Sequence, residues 1–223
     1  HAMALIQAML EASEQQCRFG DLVVPKGTIL TLTAQEAVSQ VEGKALLAAG
    51  QVRDVAELLG EAGLSGAAVV KGARQSIAAV KRPAPAELAE ASGEETLEEK
   101  SQNDLPGKLK EETFEGKLVV LKVGREDLIN KQSFRFWRRM LRRAEDEKAR
   151  AVLFDLDTPG GYAYETKEIM SEITRLKIPC YAFVNENALS AGALMSVATD
   201  GIYMSPEGTI GAAGIVSGSG AEI

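Results

Sequence analysis

Asn185-Glu-Asn-Ala-Leu-Ser190-Ala-Gly-Ala-Leu-Met-Ser-Val-Ala-Thr-Asp200-Gly-Ile-Tyr-Met-Ser-Pro-Glu-Gly-Thr-Ile210-Gly-Ala-Ala-Gly-Ile215 is the stretch whose reading decides the fold. Ser190 stands between an extended apolar run, Tyr181 to Val184, and a small-residue run, Ala191 to Ala198, that reads as helix. A serine at a strand-to-helix junction sits on a rigid turn. The N–H of the next residue, Ala191, then projects from a helix N-terminus, where positive dipole gathers. An acyl-transfer nucleophile with an oxyanion hole needs that geometry. The plainer reading makes Ser190 a cap for the Ala191 helix.

A second stretch weighs against the cap. Ala151-Val-Leu-Phe-Asp-Leu-Asp157 has a buried-strand pattern and runs into Thr158-Pro159-Gly160-Gly161. Two glycines after a strand let backbone approach closely and turn amides outward, so Gly160 and Gly161 can supply the other oxyanion donor. Alone, the turn reads as a strand–helix connection. A strand–TPGG–helix followed some thirty residues later by strand–SAGA–helix–GTIGA is far more specific than either half.

The run FDLDTPGG…ALSAGALMSVATDGIYMSPEGTIGAAGIV resembles the Clp-protease/crotonase superfamily. Within it, the resemblance is to NfeD-type membrane-associated serine proteases of the ClpP class, relatives of signal peptide peptidase A, and it covers about Lys117 to Ile223. It implies an α/β fold of stacked ββα units, with a mainly parallel sheet and surrounding helices. Ser190 matches the nucleophile, and Ala191 with the Gly160–Gly161 turn matches the oxyanion hole. Gly211 to Val216, with Gly214 and Ile215, matches the strand beside the bound peptide. Such proteases use a Ser–Lys dyad, in which burial lowers the pKa of the lysine that serves as base. The resemblance further implies hydrophobic or membrane-protein peptides as substrates, a stomatin-like partner and no cofactor.

Composition narrows the field. The only histidine is His1, which excludes a Ser–His–Asp triad and a histidine-rich metal site within the chain. A net charge of −7 argues against broad nucleic-acid binding. No apolar run approaches a membrane span and no signal peptide is visible; the resemblance implies that the chain is a soluble domain of a membrane-associated or periplasmic bacterial protein. Cys17 and Cys180 are compatible with a disulfide or with two thiols, and the apolar surroundings of Cys180 favour an inert thiol.

Three segments follow from patterning. Residues 1–64 resemble the last part of the same protease domain, through LTLTAQEAV and DVAELLGEAGL. In the family that part follows the nucleophile; here it comes first, and the chain stops before the helix that would carry the lysine. Circular permutation, a junction of two successive domains, and an unrelated helical lead-in all remain open, the first being favoured. Within the segment, residues 3–17 read as an amphipathic helix, 22–24 and 28–32 as a hairpin, and Thr33-Ala-Gln-Glu36 as a capping box. Residues 65–115, with proline and many glutamates, read as a linker or mobile arm holding a transient helix over 87–100. Residues 116–223 form the core with the nucleophile. There, 117–123 reads as a buried strand and 133–148 as a helix with Phe134, Trp137 and Leu141 inward. Its outer arginines (Arg135, Arg138, Arg139, Arg142, Arg143) read as a solvated face paired with Glu145, Asp146 and Glu147.

The leading expectation is a serine endopeptidase whose base is unplaced, since Lys71, Lys122, Lys131, Lys167 and Lys177 all lie away from the family's lysine position; the chain then holds half a dyad and is inactive unless a partner subunit of a homo-oligomer supplies the lysine. A crotonase-type acyl-CoA enzyme is the first alternative, although Glu186 and Glu207 are imperfect enolate-chemistry candidates. A non-catalytic scaffold is the second.

Overall fold

The computed structural model describes residues 2–72 and 113–214. The expected transient helix over 87–100, most of the expected linker, and Ile215 and Val216 lie outside the described residues. The chain divides into two units, His1–Gly72 with Phe114–Ile223 and Ala73–Thr113, of which the first carries the architecture below.

In chain order the elements are α1 (Ala2–Leu10), β1 (Cys17–Phe19), β2 (Leu22–Val24), β3 (Thr31–Thr33), α2 (Ala34–Ala37), β4 (Gln40–Val41), β5 (Lys44–Ala45), β6 (Gly50–Gln51), α3 (Val55–Glu61) and β7 (Val69–Lys71). They continue with β8 (Leu118–Val123), a 3-10 turn over Asp127–Ile129, α4 (Lys131–Asp146), β9 (Ala151–Thr158), α5 (Ala163–Ile173), β10 (Cys180–Leu189), α6 (Ala191–Val197), β11 (Gly201–Met204) and β12 (Thr209–Gly211). The fold is α/β. Its main sheet runs β3-β12-β10-β9-β8-β7, with β11 also on β10 and β6 on β11. Every pairing in it is parallel except β12 with β3.

Helices on both faces explain why β8 and β9 read as nearly unbroken apolar runs. On one face Val119, Leu121, Val152, Phe154, Ala182 and Val184 meet Phe134, Trp137, Leu141, Ile169 and Met195 of the helices. Trp137 packs edge-on against Phe134 and Phe154, with centroids 5.3 and 6.3 Å apart. On the other, Leu118, Val120, Leu153, Phe183 and Tyr203 meet Val52, Leu58 and Leu64.

Strand β10 carries the site. Its first half, Tyr181–Val184, pairs with β11, and its second, Asn187–Leu189, pairs with β12. Between them it advances four residues, Val184 to Ala188, while β9 advances two, Leu156 to Thr158. The bulge bends the strand and lets it change neighbours. The sequence predicts a strand only to Val184; the polar Asn185-Glu-Asn187 run hides its continuation.

Residues 2–51 complete this sheet through β3 and β6. Local expectations there need correcting. Helix α1 ends at Leu10 and not near residue 17, because Ser13 is drawn into a turn: its N–H donates to Thr28 O (3.2 Å) and its carbonyl accepts from Gly27 (2.7 Å). Cys17–Phe19 is free to pair antiparallel with Leu22–Val24 around Gly20 (φ +62°), so β2's mate precedes it and 31–33 goes to β12 instead. The capping box forms as the sequence predicts, with Thr33 Oγ1 accepting from Glu36 N–H and Glu36 Oε2 accepting from Thr33 N–H. The first residues of the expected linker include β7, paired in parallel with β8; Val70 is buried there.

Candidate active site

Ser190 follows the last residue of β10 and precedes α6. Its backbone lies at φ +50°, ψ −117°, which side-chain-bearing residues seldom adopt and which costs about 1–3 kcal/mol. Main-chain bonds hold it there. Ser190 N–H donates to Gly211 O at 2.9 Å, and its carbonyl accepts from Leu194 N–H at 3.2 Å. The half-buried side chain makes no capping bond to α6 and no hydrogen bond to any described residue. The plain-cap reading of Ser190 is therefore not what the geometry gives.

The TPGG turn reaches the same point from β9. Thr158, its last residue, pairs with Ala188 of β10. Gly160, at φ +115°, lies directly against the serine: a Cβ on it would sit 2.6 Å from Ser190 Cβ and 3.1 Å from Ser190 Oγ. Gly161 presses on the 3-10 turn, where a Cβ would fall 2.1 Å from Leu128 O, while Tyr162 N–H donates to that same oxygen at 2.8 Å. Both glycines are needed for close approach, one to the serine and one to backbone. The two amides differ: Gly160 N–H donates to Thr158 Oγ1 at 3.2 Å, whereas Gly161 N–H and Ala191 N–H have no acceptor among the described residues.

Gly211 and Gly214 also admit a neighbour, and in this structure it is the chain itself. A Cβ at Gly211 (φ +137°) would lie 2.4 Å from Leu30 O, and one at Gly214 would lie 2.8 Å from Ile29 Cδ1. Ala212 and Ala213 donate to Leu30 O (2.9 Å) and Met9 O (2.6 Å). One edge of β12 is thus covered by residues 29–33, the other by β10.

Among the described residues no lysine is hydrogen-bonded to Ser190: Lys131 pairs with Glu165 (3.2 Å) and Lys122 with Asp155 (3.9 Å). Asp155 lines a cleft of about 410 Å³ with Val55, Leu59, Val69, Lys71 and Lys122, against α3 and not at the serine. Burial raises the Asp155 pKa; Lys122 and a hydrogen bond from Asn185 oppose the shift. The α4 arginines find partners mostly on α5. Arg138 pairs with Glu168 (2.5 Å) and Glu172 (3.4 Å), and Arg142 with Glu172 (3.7 Å), while Arg143 pairs with Glu147 (2.6 Å) and covers Phe114. Glu145 instead accepts from Lys177 N–H. Cys17 and Cys180 are both free, and burial pushes the Cys180 thiol far up, as an inert core thiol requires. No cluster that could hold a metal occurs among the described residues. Sequence reasoning missed Thr158 and Leu128 as parts of the site; a hydroxyl just before Pro-Gly-Gly is the signal that pointed to the first.

The fold is thus a mainly parallel α/β sheet that sets a strained serine at a strand–helix junction against a diglycine bend. Residues 119–223 match the model of the NfeD1b N-terminal domain. The chain is 44% identical over 85 residues to membrane protein NfeD1b of Bacillus subtilis (38% of this chain, 20% of that protein). It is 32% identical over 129 residues to a protein named signal peptide peptidase SppA of Enterococcus faecium (55% and 36%). It is 38% identical over 72 residues to the membrane-bound protease PH1510 of Pyrococcus horikoshii (31% and 16%). The chain therefore spans between 16% and 36% of the length of these relatives. No helix among the described residues is long and apolar enough to cross a membrane.

Proposed function

We propose that this chain is the catalytic domain of a serine peptidase acting on hydrophobic or membrane-protein peptides. Ser190 Oγ attacks the scissile carbonyl, and the N–H groups of Gly161 and Ala191 stabilise the tetrahedral oxyanion, with Gly160 giving the bend its shape. The observation that carries this reading is Ser190 itself: a strained backbone, a side chain with no structural hydrogen bond, and a diglycine turn pressed against it. A structural serine at that place gains nothing from the strain, whereas a nucleophile gains exposure on a fixed turn. The names of the SppA and PH1510 relatives support peptide hydrolysis, and the NfeD and PH1510 names support a membrane-associated parent protein. A lysine base, a stomatin-like substrate and a homo-oligomer are parts of the proposal that rest on the family resemblance.

Residues 1–64 take the part of the domain's C-terminal end in permuted order. The pairings β3–β12 and β6–β11, which seat that segment beside the residues following the nucleophile, support it. The decisive test is labelling of the full chain with a fluorophosphonate probe. Adduct at Ser190, lost in Ser190→Ala while the fold persists, supports a peptidase; a chain that does not label is a non-catalytic module.

A further inference from the structure

Thr158 is fully buried, yet its hydroxyl has one evident task, accepting the Gly160 N–H. That bond has a consequence for the neighbouring amide. Successive residues at a tight bend point their N–H groups in different directions, so fixing one fixes the other. With Gly160 N–H turned back onto β9, Gly160 is held at φ +115° against Ser190, and the next amide, Gly161, is left without an acceptor among the described residues.

The same side chain makes a second contact through different atoms. Its Cγ2 occupies the space where a Cβ on Gly192 would come, 2.6 Å away. The methyl thus sets the distance between the end of β9 and the first turn of α6, while the hydroxyl sets the orientation of the bend. These are separable jobs.

We propose that the Thr158 hydroxyl is a positioning group for the oxyanion hole: it takes the Gly160 amide out of the site, so that Gly161 and Ala191 present the converging pair of donors. The inference rests on the peptidase reading of Ser190. Misplacing a donor by about 1 Å costs on the order of a hundredfold in rate, and removing one costs about a hundred- to a thousandfold. Loss of the hydroxyl therefore slows acylation of Ser190 by about ten- to a hundredfold.

The test compares fluorophosphonate labelling rates of the full chain with Thr158→Val, which keeps the methyl packing and loses the hydroxyl, and Thr158→Ser, which does the reverse. Slow labelling in Val with most of the rate recovered in Ser is the expected result. Thr158→Ala set against Thr158→Ser isolates the same hydroxyl without the methyl, should the valine variant fold poorly. Equal rates in Val and unsubstituted chain overturn the inference, as does equal slowing in Val and Ser, which would assign the effect to packing. An unsubstituted chain that does not label overturns the peptidase reading itself, an outcome distinct from either. Amide hydrogen exchange adds a readout that needs no reaction: Gly160 N–H is slow in the unsubstituted chain and in Ser, and fast in Val.

Discussion

Gly160 and Ser190 touch across the site, so closely that the place of a Gly160 side chain is already filled by the serine's Cβ, 2.6 Å away. Two turns thirty residues apart in sequence would have no reason to meet this tightly if either were only a connector. Gly160→Ala must both leave φ +115° and push the serine aside. We expect a loss of about 2–4 kcal/mol of stability and at least a hundredfold slower labelling of Ser190. Denaturant midpoints and probe kinetics on the same preparation check the two effects.

The strain at Ser190 separates two substitutions that are usually treated alike. Ser190→Ala removes the nucleophile and keeps a Cβ at φ +50°; Ser190→Gly removes both. Glycine visits positive φ without penalty but gains freedom in the unfolded chain. The glycine variant should still be the more stable of the two, by about 1 kcal/mol, and neither should label. Equal melting temperatures would remove strain from the account of this residue.

How much of this was legible in the sequence depends on what demanded each residue. Gly160, Gly161, Ser190 and Ala191 stood out because close backbone approach and a helix N-terminus accept few residue types, so the requirement is written in the motif. The capping box at Thr33–Glu36 was legible for the same reason. Partner choices were not. That β3 would pair with β12, that β1 would pair with β2, and that Arg138 would reach Glu168 and Glu172 are outcomes of tertiary geometry, and nothing local to those residues specifies them. The continuation of β10 to Leu189 was hidden because, of residues 185–189, only Ala188 is buried, so the run loses its hydrophobic signature next to Ser190.

Gly211 tests whether the first fifty residues are integral to the domain. A Cβ there meets Leu30 O at 2.4 Å and Thr31 Cα at 2.7 Å, both backbone, so neither can swing away as a side-chain tip would. Gly211→Ala should therefore prise β3 from β12, at a cost of about 3 kcal/mol. Hydrogen exchange followed by mass spectrometry should show residues 29–33 losing protection while 151–156 keep theirs. Uniform protection in both would mean that the sheet absorbs the methyl without releasing the strand.

Asp155 gives the pH dependence a sign. Its side chain is 13% exposed and its pKa is raised above 3.8, with burial as the main cause, so the folded chain holds that proton more tightly than the unfolded chain does. Where the folded state binds more protons, stability falls as pH rises. The penalty is absent below the unfolded value near 3.8, grows as pH climbs toward the folded value, and is complete above it. Asp155→Asn imitates the protonated form at every pH and keeps a hydrogen-bonding partner for Asn185. The variant should match the unsubstituted chain near pH 3.5 and melt at a higher temperature at pH 7, because an ion pair with Lys122 at 3.9 Å, whose own side chain is 74% exposed, recovers little of the desolvation cost. Thermal unfolding of both proteins from pH 3.5 to 7 checks it, and a variant that melts lower at pH 7 would show that the Lys122 pair outweighs burial at this cleft.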